Sequence, residues 1–366
     1  MTTQCIKVSE LTAYVESAGF QQAANIPISR IRAIAQAANP RANADDVALV
    51  LIHENEKLIG YLGLLPDYIH FRAKPESVAW MSCIWVSPDA RGKGVARQLL
   101  TTGVEAWKGR LLATEFTAPA KQLYDKMNLF DPLIDKKGLR AYLKMNMAEL
   151  MPKKNPKLKI LKLPLRLFDG FANLLLKMRF LFYPRLKTPN IQTRQLATLE
   201  EKTYDFMASF QKKELCRRDR KDFDWILQYL WIDNSEQSKA DAQRYHFSVY
   251  AEKFQISILE IFDQGELIGV LILSERDGHL KIPYSFFEHE HLGIIANVIC
   301  DLMLDKKMKM LTIYQDWLVE YLKNNLTPFF HTRDFLRQYL IGKSLDEAYR
   351  MERIILQDGD GDCVFT

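Results

Sequence analysis

The chain has 366 residues, 48% of them apolar and 26% charged, which is long enough for two packed domains and has the balance of a globular protein. A formal net charge of +5 spread over that length gives no footing for a nucleic-acid partner. Five scattered cysteines without a CxxC pair argue for a reducing compartment and against a structural metal, MTTQCIKVSE lacks the pattern of a secretory signal, and no long apolar run suggests a membrane span. The expected location is therefore the cytoplasm.

Residues 1–40 suggest helices more than strands. Ile28, Ile31, Ile34 and Ala35 recur at helical spacing after Pro27, and Asn39-Pro40 stops the pattern. Two strand-like runs follow, 47–52 and 57–62, joined by the polar turn Glu54-Asn55-Glu56, and they read as a hairpin. A third strand is expected over Tyr68 to Phe71. Val78 to Val86 is apolar, β-branched and aromatic, the pattern of a buried strand, and Ser87-Pro88-Asp89-Ala90 ends it. Arg91-Gly92-Lys93-Gly94 then leads into a helix with Val95, Leu99, Thr102 and Ala106 on one face, and Gly109 is its natural stop.

A strand that passes through glycines into a helix is suited to hold phosphate. Glycine lets main-chain N–H groups approach an anion, and the free N–H groups of the first helical turn point at the same place. The Walker loop GxxxxGK[ST] does not fit, nor does the dinucleotide pattern GxGxxG, because Arg97 stands where the third glycine belongs. Beyond the helix, Leu111-Leu112-Ala113 begins another strand and Pro119 opens another helix.

The series Val86, Pro88, Arg91, Gly94 and Ala96, followed by Leu99-Leu100, resembles the acyl-CoA loop of the GNAT acetyltransferase superfamily, Arg/Gln-x-x-Gly-x-Gly/Ala after a strand ending Val-x-Pro. Ala120, Leu123, Tyr124 and Lys126 match a second family segment. Thr117, Asn128 and Leu129 depart from its Asn, Gly and Phe, which puts the side-chain contact at Thr117 in question. The resemblance covers about residues 1–150. It implies an α+β fold, a mixed and mostly antiparallel sheet flanked by helices, with acetyl-CoA as co-substrate and no metal.

The implied reaction is direct acetyl transfer, in a ternary complex, to the primary amine of a small molecule or peptide. Backbone groups of Ile84, Trp85 and Val86 would align the pantetheine, and an N–H near Ile84 would meet the oxyanion. Arg91, Gly92, Lys93, Gly94, Val95 and Ala96 would grip the pyrophosphate, and Tyr124 would protonate the departing thiolate. The strand offers no acid or histidine as the base. Glu115 is the candidate, with His53 and Glu54 behind it, and a water chain would serve as well. Cys83, in a buried strand, is expected to be inert. Two alternatives stay open: transfer of another acyl group, and a non-catalytic protein that senses acyl-CoA.

The stretch 151–190 differs in composition. Between Lys153 and Lys187 it carries ten cations against the single acid Asp169, a net +9, interleaved with Leu, Phe and Met. Such a basic amphipathic segment suits an anionic membrane surface. The plainer expectation, and the favoured one, is a linker that packs its apolar face between two domains and keeps its lysines in water.

From Ile191 the chain is globular again, with an apolar helical face at Phe223, Ile226, Leu227 and Leu230. EIFDQGELIGVLILS (260–274) then repeats LIHENEKLIGYLGLL (51–65) at an offset of 209, with Gly269 aligned on Gly60. A strand over Leu280 to Phe287, a helix over Leu292 to Leu304, a strand over Met310 to Tyr314 and a helix over Asp316 to Lys323 continue the repeat. The expected organisation is a catalytic copy (1–150), a basic linker (151–190) and a second copy (191–366) that shapes the acceptor site or a homodimer contact. The second copy carries Phe287-Glu288-His289-Glu290-His291-Leu292-Gly293 in place of the loop, and its acids would repel a pyrophosphate. His289 and His291 lack a third ligand at metal spacing, and Asp358, Asp360 and Asp362 read as an acidic turn.

Overall fold

The computed structural model describes residues 1–71, 74–183, 185, 190–345 and 354–365. Lys187, at the end of the basic segment, lies outside them. The first half of the chain runs β1 (Thr2–Lys7), α1–α3 (Leu11–Glu16, Ala18–Gln22, Arg30–Ala37), β2 (Val47–Glu54), β3 (Lys57–Phe71), β4 (Lys74–Val86), α4 (Val95–Ala106), β5 (Leu111–Thr114), α5 (Ala118–Met127) and β6 (Phe130–Tyr142). The helices α6 (Met147–Lys154) and α7 (Lys162–Phe182) lead to the second half. There the order is β7 (Ile191–Leu196), α8–α10 (Glu201–Phe210, Arg220–Gln228, Glu236–Asp241), β8 (Phe254–Asp263), β9 (Glu266–Arg276), β10 (His279–Phe287), α11 (Leu292–Asp305), β11 (Met310–Ile313), α12 (Asp316–Asn324) and β12 (His331–Gly342).

The described strands form one sheet in the order β1-β2-β3-β4-β5-β12-β6-β11-β10-β9-β8-β7. Exchanging β1 to β6 with β7 to β12 reverses this order without changing it, so a pseudo-two-fold axis passes between β6 and β12. Those two strands pair antiparallel from Phe130↔Gly342 to Tyr142↔His331. Each last strand also pairs with the other half, β12 with β5 and β6 with β11. The fold is α+β, two tandem units of one topology sharing one sheet and trading their final strands.

The repeat seen in the sequence has a structural cause. The turn between β2 and β3 holds Asn55 and Glu56 at positive φ, and its counterpart between β8 and β9 holds Gln264 and Gly265 there, as tight hairpin turns require. Register shifts fall at Ile52/His53 and at Ile261/Phe262, the same offset apart. Gly60 and Gly269 occupy the point where a helix crosses the sheet. A Cβ at Gly60 would stand 2.7 Å from Val95 Cγ1, and one at Gly269 would stand 2.5 Å from Ile295 Cδ1.

Three expectations change. Residues 2–7 form a strand ahead of the helices; at the sheet edge only Ile6 is buried, so TTQCIK carries no apolar run to announce it. Tyr68 to Phe71 is not a separate strand but the end of β3, which pairs with β4 from Gly60↔Val86 to Phe71↔Lys74. The DGDGD segment is also more than an acidic turn. Residues 354–365 fold back between the halves, where Phe365 stacks on Trp231 at 4.3 Å and Ile355 bridges to Glu214. A buried ionic network lies beside them. Asp67 accepts from Arg41 at 2.6 Å and from Arg218 at 3.2 Å, and Arg41 also reaches Asp222 at 2.6 Å. Burial alone would raise the Asp67 carboxyl, but Arg218 and Arg41 hold it down at about 2.

Candidate active site

The parallel strands β4 and β5 pair only over Ala79↔Leu111, Trp80↔Leu112 and Met81↔Ala113, and then part. The cause lies in β4 itself. Against β3 its register jumps from Met81↔Leu64 to Cys83↔Gly63, so Ser82 is an extra residue, and a bulge of this kind bends a strand away from its neighbour. On the β5 side the backbone from Ser82 to Val86 consequently has no strand partner. A cleft of about 420 Å³, counting its open mouth, occupies the split; Met81 to Ile84, Thr114 to Thr117, Tyr124 and Phe247 line it.

At the far end of β4 the chain turns through Arg91 to Gly94 into α4. Gly92 and Gly94 have φ of +80° and +82°, the region that L side chains avoid, and Gly94 caps the helix. Gln98 N–H bonds to the Gly94 carbonyl at 3.0 Å, so the first-turn N–H groups of Val95, Ala96 and Arg97 point out of the helix end. Arg91 and Lys93 are exposed, with Lys93 3.9 Å from Glu54. Val95 is buried and anchors the helix, and Ala96 is half-buried. The strand segment Ile84–Val86 thus runs from the cleft to this loop, and the residues from Ile84 to Ala96 expected to act on one cofactor lie along one line of backbone, with Thr117 apart from them at the head of α5.

Tyr124 stands on α5, packed edge-on to Phe116 at 5.9 Å and against Phe130 at 5.3 Å. Burial pushes its hydroxyl well above the usual tyrosine range, so it carries its proton at neutral pH. Thr117 caps α5, accepting from Ala120 N–H at 3.4 Å, which ties its hydroxyl to the helix end. Glu115 follows β5 with φ of +51° and accepts from Arg337 of β12. Burial favours its neutral form, but Arg337 and Lys281 outweigh that and draw its carboxyl below the usual range. His53 lines a different depression, with Tyr14 and Lys57. Cys83 is buried, and burial pushes its thiol up against the pull of Arg32, as expected of an inert cysteine.

Sequence reasoning did not find two residues at the site, one in the cleft wall and one behind Ser82. Phe247, from the second half, forms part of its wall; beside it His246 stacks on Trp85 at 4.4 Å, and Tyr245 lies 3.8 Å from the Cys83 sulfur. Asp362, from the returning tail, accepts from the Ser82 hydroxyl and sits 3.6 Å from the Arg32 guanidinium. Burial lifts the Asp362 carboxyl above the usual aspartate range, and Arg32 only partly offsets it. No local signal marks either residue, since both are brought to β4 from more than 150 positions away. Among the described residues no group of three His, Cys, Asp or Glu is placed to hold a metal ion.

The model of the Acetyltransferase (GNAT) family matches residues 20–128, the stretch that contains the β4–β5 split and the glycine loop. The chain carries a GNAT acetyltransferase domain. The protein is accordingly an acyltransferase, and the family's use of acyl-CoA extends to it in general terms. Among solved structures, a probable N-acyltransferase from Enterococcus faecalis is 11% identical, with 93% of this chain and 73% of that one covered at a TM-score of 0.48. A GCN5-related N-acetyltransferase from Anabaena variabilis is 12% identical over 93% and 72% of the two chains, TM-score 0.45. A tandem GNAT protein from the clavulanic acid biosynthesis pathway is 13% identical over 93% and 98%, TM-score 0.45. These likenesses are loose. No curated protein matches the chain.

Proposed function

We propose that the protein transfers an acetyl group from acetyl-CoA to a primary amine on a small molecule or peptide, directly and within a ternary complex, in the cytoplasm. The observation that carries this is the open split between β4 and β5, with Tyr124 on one wall and the Gly94-headed helix at the end of the same strand. In this scheme the N–H groups around Gly92 to Ala96, with Arg91 and Lys93, hold the pyrophosphate. The unpaired backbone of Ile84 to Val86 takes the pantetheine, and a donor near Ile84 faces the forming oxyanion.

The amine nitrogen attacks the thioester carbon, a C–N bond forms, and the C–S bond breaks. Tyr124, held protonated by burial, gives its proton to the departing thiolate. The proton lost by the amine goes to Asp362 through Ser82. Asp362 suits this better than Glu115, because its carboxyl is pushed up whereas that of Glu115 is pulled down by Arg337. Thr117 has its hydroxyl engaged in capping and contributes through its position at the cleft rim. Phe247 lines the cleft from the second copy and would meet the acceptor in this scheme.

Titration calorimetry with acetyl-CoA and release of free thiol with a panel of amines test the proposal. Association with the cofactor and amine-dependent thiol release are expected. Absence of any heat of association would sink it, and binding without turnover on any amine would favour an acyl-CoA sensor instead.

A further inference from the structure

The sequence predicts, for the basic segment, a linker with its apolar face packed between domains, but the helix α7 is turned the other way. Its inward side is anchored largely by polar groups. Asp169 accepts from the N–H groups of Met147 and Ala148, both at 2.9 Å, and Asn173 bonds the N–H of Met145 at 2.8 Å and its carbonyl at 3.0 Å. Leu165, Ala172 and Leu176 lie half-buried on the same side. Ile160 in the turn before the helix, and Leu163, Leu167, Phe171, Leu174 and Met178 along it, are spaced by three or four residues, form one stripe, and are each 59–88% exposed. A stripe of large apolar side chains in water is the mark of an interaction surface.

Charge decides what covers it. The stripe is flanked by the exposed cations Lys157, Lys159, Lys162, Arg166 and Lys177. The one acid of the segment, Asp169, is buried and spent on capping. The stretch from Lys153 to Lys187 carries +9 in a chain of +5, so the rest of the protein is net negative and the positive charge is concentrated here. A second copy seated on the stripe would bring two such cationic rims together. Among the described residues no helix is long and apolar enough to cross a membrane. We infer that α7 lies in the headgroup plane of an anionic bilayer, its Leu and Phe side chains in the acyl boundary and its cations on the phosphates, so that the enzyme is a peripheral membrane protein. This surface is separate from the cleft and does not depend on the acceptor assigned to it.

Co-sedimentation of the full chain with vesicles of phosphatidylcholine alone, and of phosphatidylcholine mixed with phosphatidylserine, tests the inference. Binding to the mixed vesicles and not to the neutral ones is expected, falling as salt rises. Replacing Lys162 and Lys177 by Gln should weaken it by roughly fivefold per cation removed, and Leu167→Asp with Phe171→Asp should abolish it. Both pairs lie on the solvent face, and an unchanged circular-dichroism spectrum and acetyl-CoA affinity would confirm that they leave the fold intact. Equal binding to both vesicle types, or none to either, would overturn the inference. So would a dimer in sedimentation velocity that Phe171→Asp dissociates while vesicles fail to bind, since the occupant would then be a second copy.

Discussion

The two halves open the same split in the sheet and treat it in opposite ways. Strands β10 and β11 pair over His279↔Met310 to Lys281↔Thr312 and then part, and β10 carries a register shift between Lys281 and Tyr284 as β4 does at Ser82. Where the first split is open, the second is filled by the chain's own tail. Gly359 N–H bonds to the Pro283 carbonyl at 2.7 Å, Asp358 accepts from Tyr314 N–H at 2.7 Å and from Lys136 at 2.6 Å, and Arg337 donates to the Asp358 carbonyl at 2.8 Å. The helix that follows is led by Glu288 to His291 with no glycine at positive φ. On the proposed reading, topology alone does not make a cofactor site. An unfilled split and a helix end clear of acids are both needed, and one segment, 354–365, plugs the second split while its Asp362 reaches Ser82 at the first.

The plug is the place where the comparison breaks with the largest effect. Asp358→Ala leaves Lys136 buried without its carboxylate, which should cost about 3–5 kcal/mol in denaturant unfolding. Tyr124→Phe should lower kcat by about a hundredfold with acetyl-CoA affinity unchanged in calorimetry, whereas Tyr314→Phe in the filled split should leave affinity for the cofactor alone. A loss of cofactor binding in Tyr124→Phe would mean that the tyrosine is structural.

Gly94→Glu forces a side chain into positive φ and sets a carboxylate at the helix end, so acetyl-CoA should bind at least about tenfold more weakly. Glu290→Ala, at the corresponding helix of the second copy, should change that affinity by nothing measurable. Of the carboxylate that lines the cleft, Glu115, and the one behind Ser82, Asp362, the second matters more: Asp362→Asn should depress kcat and remove an acid limb lying above the usual aspartate range, and Glu115→Gln should leave that limb in place.

A further effect is on stability against pH. Burial raises Glu214 to about 7, with Asp360 adding to it, and raises Asp360 to about 6 against the pull of Arg218. Both carboxyls titrate higher in the folded protein than in the unfolded chain. Their contribution is therefore complete below the ordinary values of 4.5 and 3.8, and is lost as pH rises through about 6 to 7. The melting temperature should fall between pH 5 and pH 8, and Glu214→Gln should flatten that fall.

Much of the first site could be read along the chain because its parts are local. Val86, Pro88, Gly94 and Tyr124 owe their positions to a strand end, a turn and a helix face, each set by a few neighbouring residues. The repeat was equally legible, since a hairpin turn and a glycine under a crossing helix impose the same residues twice. The strand β6, FDPLIDKKGLRAY, was not, for its polar Lys136 is matched by Asp358 and its neighbours β11 and β12 come from the other half.

The sequence by itself determined most of the elements, the glycine turn ahead of α4 and the amphipathic period of α7, because backbone preference and side-chain spacing act over a turn or a strand. Only the tertiary structure decided the exchange of final strands, the burial of the 358–362 acids and the outward face of α7. Each of these is a choice among partners far apart in the chain, settled by which charges can be paired inside and which apolar surface is left over.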